Sequence, residues 1–220
     1  MISVCYTIRN RTNLNTGKEI IPLFFNSVMS VVDAFNQNNI EHEIVISDWK
    51  STDTDYKWLP KNNKFITIDP EIIQFSRGYG RNIAAENSSY DNILFLDTDV
   101  IINSFFIDRC IKYLNNNIVY YPIIWSVSES NKHKCYSYLG NDKLENTRYN
   151  NRLDKTGWRP TSTGMCCMKK IVWENSGKWP DYKKWGKEDS HFHDNINKKY
   201  KIVRQRDNGV VHCWHPINRD

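Results

Sequence analysis

Two acidic side chains stand one residue apart directly after a short apolar run. The run covers residues 92–96, and Asp97 and Asp99 follow it. Ligands of open α/β sheets bind at the carboxyl ends of the strands, where two carboxylates can hold a hard divalent cation together with phosphate oxygens of a ligand. Such a cation would neutralise the charge that develops on a departing diphosphate. The alternative is that the two acids cap a following helix, a position that also favours aspartate.

A second acidic pair, Glu188 and Asp189, follows Trp185 and Gly186 at the start of a predicted helix. Acids in the first turn are stabilised by the helix dipole, which is one explanation for the pair. In the other explanation, one carboxylate is a general base that faces a cleft. Trp185 would then stack on the apolar C–H face of a sugar ring. The residues alone leave both explanations open.

Basic and imidazole side chains follow the first and last predicted strands. Arg9 and Arg11 come directly after the first strand, where guanidinium groups can bind phosphate oxygens or a uracil edge; solvated loop charges are the alternative. His212 and His215 lie at the end of the last strand. Three interpretations of these histidines are open. They bind no ligand, they bind zinc together with a cysteine, or they complete a metal site at Asp99.

These residues can meet only if the strands before them lie in one sheet, and the hydrophobic pattern predicts such a sheet. Alternating apolar and polar residues, or a compact apolar run, predict a strand, whereas apolar residues three and four positions apart predict a helix. The predicted strands are residues 2–8, 43–47, 64–69, 92–96, 163–169, 200–204 and 209–214, and the predicted helices are residues 20–36, 81–88 and 188–198, with a short one around residue 172. Strands that alternate with helices predict an α/β fold with a mostly parallel central sheet and flanking helices. Residues 125–160 lack a clear period, which is typical of a lid or a binding loop.

Length and composition restrict the class of protein. The 220 residues carry a net charge of +5 and 13% of them are aromatic, which predicts one folded domain over residues 1–220. The mild positive charge favours an anionic ligand, but lysine and arginine are scattered rather than gathered into the stripe typical of nucleic-acid binding. Apolar runs stay well below the 18 residues of a membrane span. We therefore expect no nucleic-acid partner and no transmembrane segment.

The expected compartment is the cytoplasm. Residues 1–11 lack the basic start and the apolar core of a signal peptide, and six cysteines without such a signal suggest free thiols in a reducing environment. The lysine pairs at 183–184 and 198–199 leave peripheral contact with an anionic membrane surface open, although a solvated helix face explains them equally well.

Taken in order, these segments resemble the GT-A glycosyltransferases. The resemblance is to the β-1,4-galactosyltransferase group and the related C-terminal galactosyltransferase domain, and it covers residues 2–103, a nucleotide-binding half, and residues 161–216, an acceptor and metal half. Residues 8–11 are similar to the family's Phe-Arg-Asn-Arg motif, and residues 75–77 with Asn82 to its Phe-Asn-Arg motif. Residues 97–99 are similar to its Asp-Val-Asp motif, residues 185–189 to its Trp-Gly-Trp-Gly-Gly-Glu-Asp-Asp motif, and His212 to its late histidine. Lys187 stands where the family has a glycine, Ser190 stands where it has a third acid, and its disulfides and membrane anchor have no counterpart.

The resemblance implies an inverting, metal-dependent transfer of a hexose-type sugar. The donor would be a nucleotide sugar of the UDP type, the acceptor a hydroxyl of a glycan or glycoconjugate, and the metal Mn²⁺ or Mg²⁺. The implied donor-binding residues are Arg9, Arg11, Phe75, Arg77 and Asp97; the metal ligands are Asp99 and His212, with Asp97 and His215 as further candidates; Glu188 and Trp185 bind the acceptor, and Asp189 is the base.

Two other functions stay open at this stage. A sugar nucleotidyltransferase also combines a nucleotide-binding α/β sheet with acidic metal ligands, but the chain lacks a glycine-rich phosphate loop near the first strand. The second is a non-catalytic carbohydrate-binding protein of the same fold. Pyrophosphate release would identify the first, and hydrolysis or transfer of a nucleotide sugar would exclude the second.

Overall fold

The computed structural model describes residues 1–127, 129–132, 135, 157–159, 164–183 and 186–216. In chain order, the first half consists of β1 (Ile2–Ile8), β2 (Leu14–Asn15), β3 (Ile20–Ile21), α1 (Leu23–Gln37), β4 (His42–Asp48), β5 (Asn63–Thr67), α2 (Arg77–Glu86) and β6 (Asn92–Phe95). The strands β5, β4, β1 and β6 are parallel neighbours. β1 is buried along nearly its whole length because both faces of the strand are covered, as is usual for parallel sheets.

The second half extends the same sheet with mixed pairings. It consists of β7 (Val100–Ile102), α3 (Ser104–Tyr113), β8 (Ile118–Ser126), a 3₁₀ turn (Glu129–Asn131), β9 (Trp158–Arg159), β10 (Cys166–Lys169), α4 (Lys170–Asn175), α5 (Glu188–Asn197) and β11 (Lys201–His212). β10 lies antiparallel between β6 and β8, β11 runs parallel to β8, and β7 lies antiparallel to β11 at the edge. The predicted α/β fold, a mostly parallel sheet flanked by helices, is confirmed. Each antiparallel pair of this sheet includes a strand of the second half, and β2 and β3 form a separate antiparallel pair.

Alternate residues of β1 point into two hydrophobic clusters on opposite faces of the sheet. Val4 and Tyr6 pack with Phe24 and other residues of α1 and α3, whereas Cys5 packs with Trp173 and other residues of α2, α4 and α5. The sheet therefore separates two helices from three. Every helix in the described ranges is too short or too polar to cross a lipid bilayer.

Two helices begin at residues other than those predicted. α1 begins at Leu23 because the two residues of β3 before it pair with β2. α2 begins four residues early, because the Ser76 hydroxyl accepts a hydrogen bond from the Tyr79 N–H at 3.2 Å and so caps the helix. Gly78 lies inside this helix although glycine weakens helices, since a Cβ there would strike the backbone carbonyl of Pro180. Close packing, rather than propensity, determines the residue at this position.

The prediction of two separate strands at the end of the chain is wrong, because β11 is one strand with a bulge. The bulge forms around Asp207, whose side chain is fully buried. Its Oδ1 accepts a hydrogen bond from the Gly209 N–H at 2.8 Å, and its Oδ2 accepts one from Arg109 Nε at 2.6 Å and one from the Tyr120 hydroxyl. One buried carboxylate thus stabilises the polar residues between the two predicted strands within the sheet.

Replacement of Asp207 by alanine leaves Arg109 and the Tyr120 hydroxyl without their acceptor. We expect the free energy of unfolding to fall by about 3 kcal/mol, because a half-removed buried ion pair leaves an uncompensated charge. Urea denaturation measures the change. The control is Asp55→Ala, which removes an exposed ion pair with Lys57 and should leave the midpoint unchanged. Equal midpoints for the two variants would contradict the prediction.

Candidate active site

The ends of three strands bring residues from both ends of the chain to one edge of the sheet. Arg9 and Arg11 follow β1, and Asp99 comes after β6, the parallel neighbour of β1. His212, the last residue of β11, is paired with Val100, and the N–H of the next residue donates to the Asp99 carbonyl at 2.8 Å. The carboxyl ends of parallel strands are where α/β sheets bind ligands.

The two acids after β6 do not cap a helix. Asp97 and Asp99 are followed by β7. The next helix, α3, is capped instead by Asn103, whose side chain accepts a hydrogen bond from the Phe106 N–H at 3.3 Å. The capping explanation is therefore wrong, and these carboxylates are available for other partners.

Asp99, His212 and His215 form a cluster with the donor atoms of a metal site. One donor atom from each lies within 4.8 Å of the others. His215 Nε2 is 3.0 Å from Asp99 Oδ2, and His212 Nε2 is 3.7 Å from Asp99 Oδ1. The cluster contains no cysteine among the described residues, so the geometry groups these imidazoles with Asp99 rather than with a thiol.

Burial and neighbouring charges set the protonation of this cluster. Burial opposes ionisation of Asp99, but His212, His215 and Arg11 outweigh it and hold the pKa of that carboxyl well below its usual range. Burial lowers the pKa of His212 to about 4, so its imidazole is neutral near pH 7, which is the form that binds metal ions. Arg11 Nη2 lies 3.6 Å from Asp99 Oδ2 and 3.5 Å from His215 Nε2.

A cavity of about 630 Å³ lies between the residue after β1 and the start of α5. Arg9 forms part of its wall, with its guanidinium carbon 5.2 Å from the centre of the Phe75 ring. Glu188, only 3% exposed, lines the same cavity and places Oε1 3.9 Å from Arg77 Nη1. Its Oε2 is buried without a hydrogen-bond partner in the described part of the chain. Buried polar atoms are normally satisfied, so this oxygen is suited to a hydroxyl donor from a ligand.

The loop that carries Arg9 and Arg11 is fixed by a second loop. Asp53 accepts hydrogen bonds from the backbone N–H groups of Thr12 and Asn13 at 2.6 and 2.9 Å. These bonds to an ionised acceptor are among the stronger hydrogen bonds in proteins. The arginines are therefore presented by an ordered turn rather than by a loose loop.

A buried arginine joins the two acidic motifs. Arg81, only 2% exposed, donates from Nη1 to Asp189 Oδ1 at 2.5 Å and from Nη2 to Asp97 Oδ1 at 2.9 Å. Its guanidinium carbon lies 4.4 Å from the centre of the Trp179 ring. Burial opposes the charge on Arg81, but the two carboxylates outweigh it and raise its pKa.

The same helix also holds the segment that leads to α5. Asn82 donates from Nδ2 to the Trp179 carbonyl at 2.8 Å and accepts from the Trp179 N–H at 2.9 Å. The amide side chain thus satisfies both backbone groups of one residue. Together with the contact of Gly78 with Pro180 described above, this fixes α2 against the segment.

Comparison with known proteins identifies the family of the chain. A model of the chondroitin N-acetylgalactosaminyltransferase family matches residues 11–220. The chain belongs to this family. None of the curated protein sequences matches it. The predicted assignment to the glycosyltransferases is therefore confirmed at the level of the family.

Solved structures share the GT-A fold with this family member. S. aureus TarS 1-349 in complex with UDP-GlcNAc has a TM-score of 0.61 and 14% identity over 99% of this chain and 59% of that one. The catalytic domain of Drosophila β1,4-galactosyltransferase 7, in complex with xylobiose, has a TM-score of 0.57 and 12% identity over 92% of this chain and 63% of that one. The chain thus spans less than two thirds of either structure, and at these identities the likeness shows the fold.

In the structure of this glycosyltransferase-family chain, the site residues predicted from the sequence lie in three neighbouring groups. The groups are Arg9, Phe75, Arg77 and Glu188 along the cavity; Arg11, Asp99, His212 and His215 around the metal-type cluster; and Asp97 with Asp189 on Arg81. Asp97 bonds to Arg81 and is not part of the cluster. Trp185 and most of residues 125–160 lie outside the described residues.

Sequence reasoning missed Arg81 and Asp53. Arg81 carries a charge on the apolar side of α2, three and four residues before the buried Ala84 and Ala85, and that spacing could have identified it. Asp53 left no comparable signal, because its partners are backbone groups about 40 residues earlier.

Lys187 at the start of α5 has a backbone conformation that favours glycine. Its φ is +73°, and left-handed geometry costs a side-chain-bearing residue roughly 1–2 kcal/mol. The related motif of the resembled family has glycine here. The lysine therefore adds strain to the turn into Glu188 that a glycine would avoid.

Lys187→Gly should leave the free energy of unfolding unchanged or raise it by about 1 kcal/mol, because relief of strain offsets the greater freedom of unfolded glycine. Urea denaturation measures the difference. Lys198→Gly is the matched control: Lys198 has ordinary right-handed geometry, so the variant should lose about 0.5–1 kcal/mol. A larger loss at 187 than at 198 would contradict the prediction.

Proposed function

We propose that the protein transfers a hexose-type sugar, of the N-acetylhexosamine kind, from a UDP-sugar donor to a hydroxyl of a glycan acceptor with inversion of the anomeric centre. The observation that carries the proposal is the convergence at one sheet edge of the Asp99 cluster, the arginine-lined cavity and Asp189. Membership of the family and the UDP-GlcNAc complex of TarS support the type of donor.

The donor would lie along the arginine-lined wall. The Arg9 and Phe75 side chains present a cation and an aromatic ring to the same cavity, a combination that suits a flat uracil ring. Arg11 supplies positive charge toward the diphosphate, since guanidinium groups pair with phosphate oxygens through two parallel hydrogen bonds. Asp97 uses Oδ1 for Arg81, and its Oδ2 would accept a hydrogen bond from a donor hydroxyl.

The metal cluster fits a transition-type divalent cation. Asp99, His212 and His215 would hold it through one carboxylate and two imidazoles, a donor set that suits Mn²⁺ better than Mg²⁺, which prefers oxygen ligands. When bound, Mn²⁺ stabilises negative charge on the departing diphosphate. The neutral state of His212 leaves its ring nitrogen free for this role.

Asp189 would act as the base on the acceptor. One of its oxygens takes the hydroxyl proton while the hydroxyl oxygen bonds to the anomeric carbon, and the bond from that carbon to the phosphate oxygen breaks, so that UDP leaves with the electron pair. Attack opposite the leaving group inverts the anomeric centre. Glu188 offers Oε2, which has no hydrogen-bond partner among the described residues, to an acceptor hydroxyl, and stacking by Trp185 stays a prediction.

Removal of any cluster residue should weaken Mn²⁺ binding at least 10-fold, since even groups that only support metal ligands contribute 10- to 100-fold, roughly, to affinity. Calorimetric titration with MnCl₂ of the wild type, Asp99→Asn and His215→Ala measures this. The control is His191→Ala, because His191 is exposed and bonds to Tyr182 instead of the cluster. Wild-type affinity in both cluster variants would disprove the metal site.

Asp189→Asn should lower kcat for sugar transfer by roughly 10²- to 10⁴-fold, the usual contribution of a general base, with little change in affinity for UDP. The assay uses UDP-GalNAc and UDP-GlcNAc with Mn²⁺ and a panel of glycan acceptors. Asp181→Asn is the control, since Asp181 is an exposed acid paired with Lys183. Wild-type turnover in Asp189→Asn would contradict the role of the base.

The products separate this proposal from the alternatives. NMR of the first-formed product should show an inverted anomeric configuration, and a retained one would contradict the mechanism. Pyrophosphate release from UTP and a sugar 1-phosphate would indicate a nucleotidyltransferase instead. Binding of UDP-sugars without hydrolysis or transfer would indicate a carbohydrate-binding protein.

A further inference from the structure

We propose that Arg81 is a positioning residue that fixes the base Asp189 at a set distance from the donor-side Asp97. The inference rests on the proposed function, because it assigns a task to Arg81 only if Asp189 accepts the proton. It adds a residue that the sequence motifs do not include.

The guanidinium of Arg81 is held from three sides. Nη1 bonds to Asp189 Oδ1 at 2.5 Å, Nη2 bonds to Asp97 Oδ1 at 2.9 Å, and the plane of the group lies near the Trp179 ring, with its carbon 4.4 Å from the ring centre. The side chain is 2% exposed. Planar guanidinium groups hold two acceptors in fixed directions, so the two carboxylates cannot shift independently.

Each carboxylate uses only one oxygen for Arg81. A Cβ placed on Gly164 would lie 3.2 Å from Asp189 Oδ2, 3.2 Å from Asp97 Oδ2 and 2.9 Å from Arg81 Nη2. The second oxygens of both acids therefore lie around the same point, which a side chain at residue 164 would occupy. Asp189 Oδ2 is the oxygen that would take the acceptor proton.

Another arginine pair in the same protein shows what a purely structural bridge looks like. Asp207 is fully buried and both of its oxygens accept hydrogen bonds, from Arg109, Tyr120 and Gly209. Asp97 and Asp189 differ from it, since their side chains are 36% and 32% exposed although their shared arginine is buried. The Arg81 bridge thus has a buried centre and two acids that are partly exposed to solvent.

Arg81 orients the two carboxylates and compensates their negative charge, and it does not exchange protons. A guanidinium stays protonated in proteins, so the acceptor proton passes to Asp189 and the charge of Arg81 is constant throughout. A 1 Å misplacement of a reacting group costs about 100-fold in rate. A change at Arg81 should therefore appear in kcat rather than in donor binding.

The test compares Arg81→Lys, Arg81→Met and Gly164→Ala with wild type and with Asp189→Asn, using UDP-GalNAc or UDP-GlcNAc, whichever the wild type turns over. We expect kcat to fall about 100-fold in Arg81→Lys and further in Arg81→Met, with the donor KM within threefold of wild type. Gly164→Ala should lower kcat at least 10-fold, because its methyl group would lie against Oδ2 of both acids. Arg109→Lys is the matched control, with lower thermal stability but wild-type kcat.

The outcomes distinguish the two proposals. If Asp189→Asn is inactive while Arg81→Lys and Gly164→Ala keep wild-type kcat, the role of Arg81 is overturned and the base stands. A raised donor KM with unchanged kcat in Arg81→Lys would also overturn it, in favour of donor binding. If Asp189→Asn keeps wild-type activity, the base and the Arg81 proposal both fail. Thermal unfolding of each variant confirms the folded state, and Arg81→Lys with Gly164→Ala decide the matter if Arg81→Met does not fold.

Discussion

Four carboxylates crowd one edge of the sheet, and the site depends on how their charges are compensated. Two unit charges about 4 Å apart repel by about 4 kcal/mol near a protein surface, so the acids need counter-charges to converge. Asp97 and Asp189 share Arg81, and the other two carboxylates face Arg11 and Arg77. All three arginines lie in the first 81 residues of the chain. The site can therefore assemble on the protein's own cations, before any substrate arrives.

The topology explains why the compensating groups come from such distant parts of the sequence. β10 returns antiparallel beside β6 and connects the parallel half of the sheet to β8 and β11. The pairing of β11 with β7 then places the end of the last strand beside Asp99. Arg11 and His215 are 204 positions apart and yet 3.5 Å from each other. Charge compensation is thus a consequence of strand order, since no local segment contains both partners.

Patterns that depend on neighbouring residues could be predicted from the sequence, and those that depend on packing could not. The apolar alternation of β1 and the acids after β6 are local, and the structure has them as expected. The burial of Asp207 could not be predicted, because it depends on α3 and β8, which the sequence does not place beside it. The contacts of Arg81 could not be predicted for the same reason, since its partners are 16 and 108 positions away. The candidate donor and metal residues could be named because the expected chemistry restricts their types, whereas Arg81 is restricted by packing geometry.

The two hydrogen bonds between Asn82 and the backbone of Trp179, together with the packing of Gly78 against Pro180, have an evolutionary consequence. Helix α2 and the segment before α5 are thus fixed to each other. Under the proposed function this unit carries groups for both the donor and the acceptor, so a substitution that moves α2 would disturb both kinds of recognition at once. New acceptor preferences would then arise by changes outside this unit, where a residue can vary without altering how the donor is held.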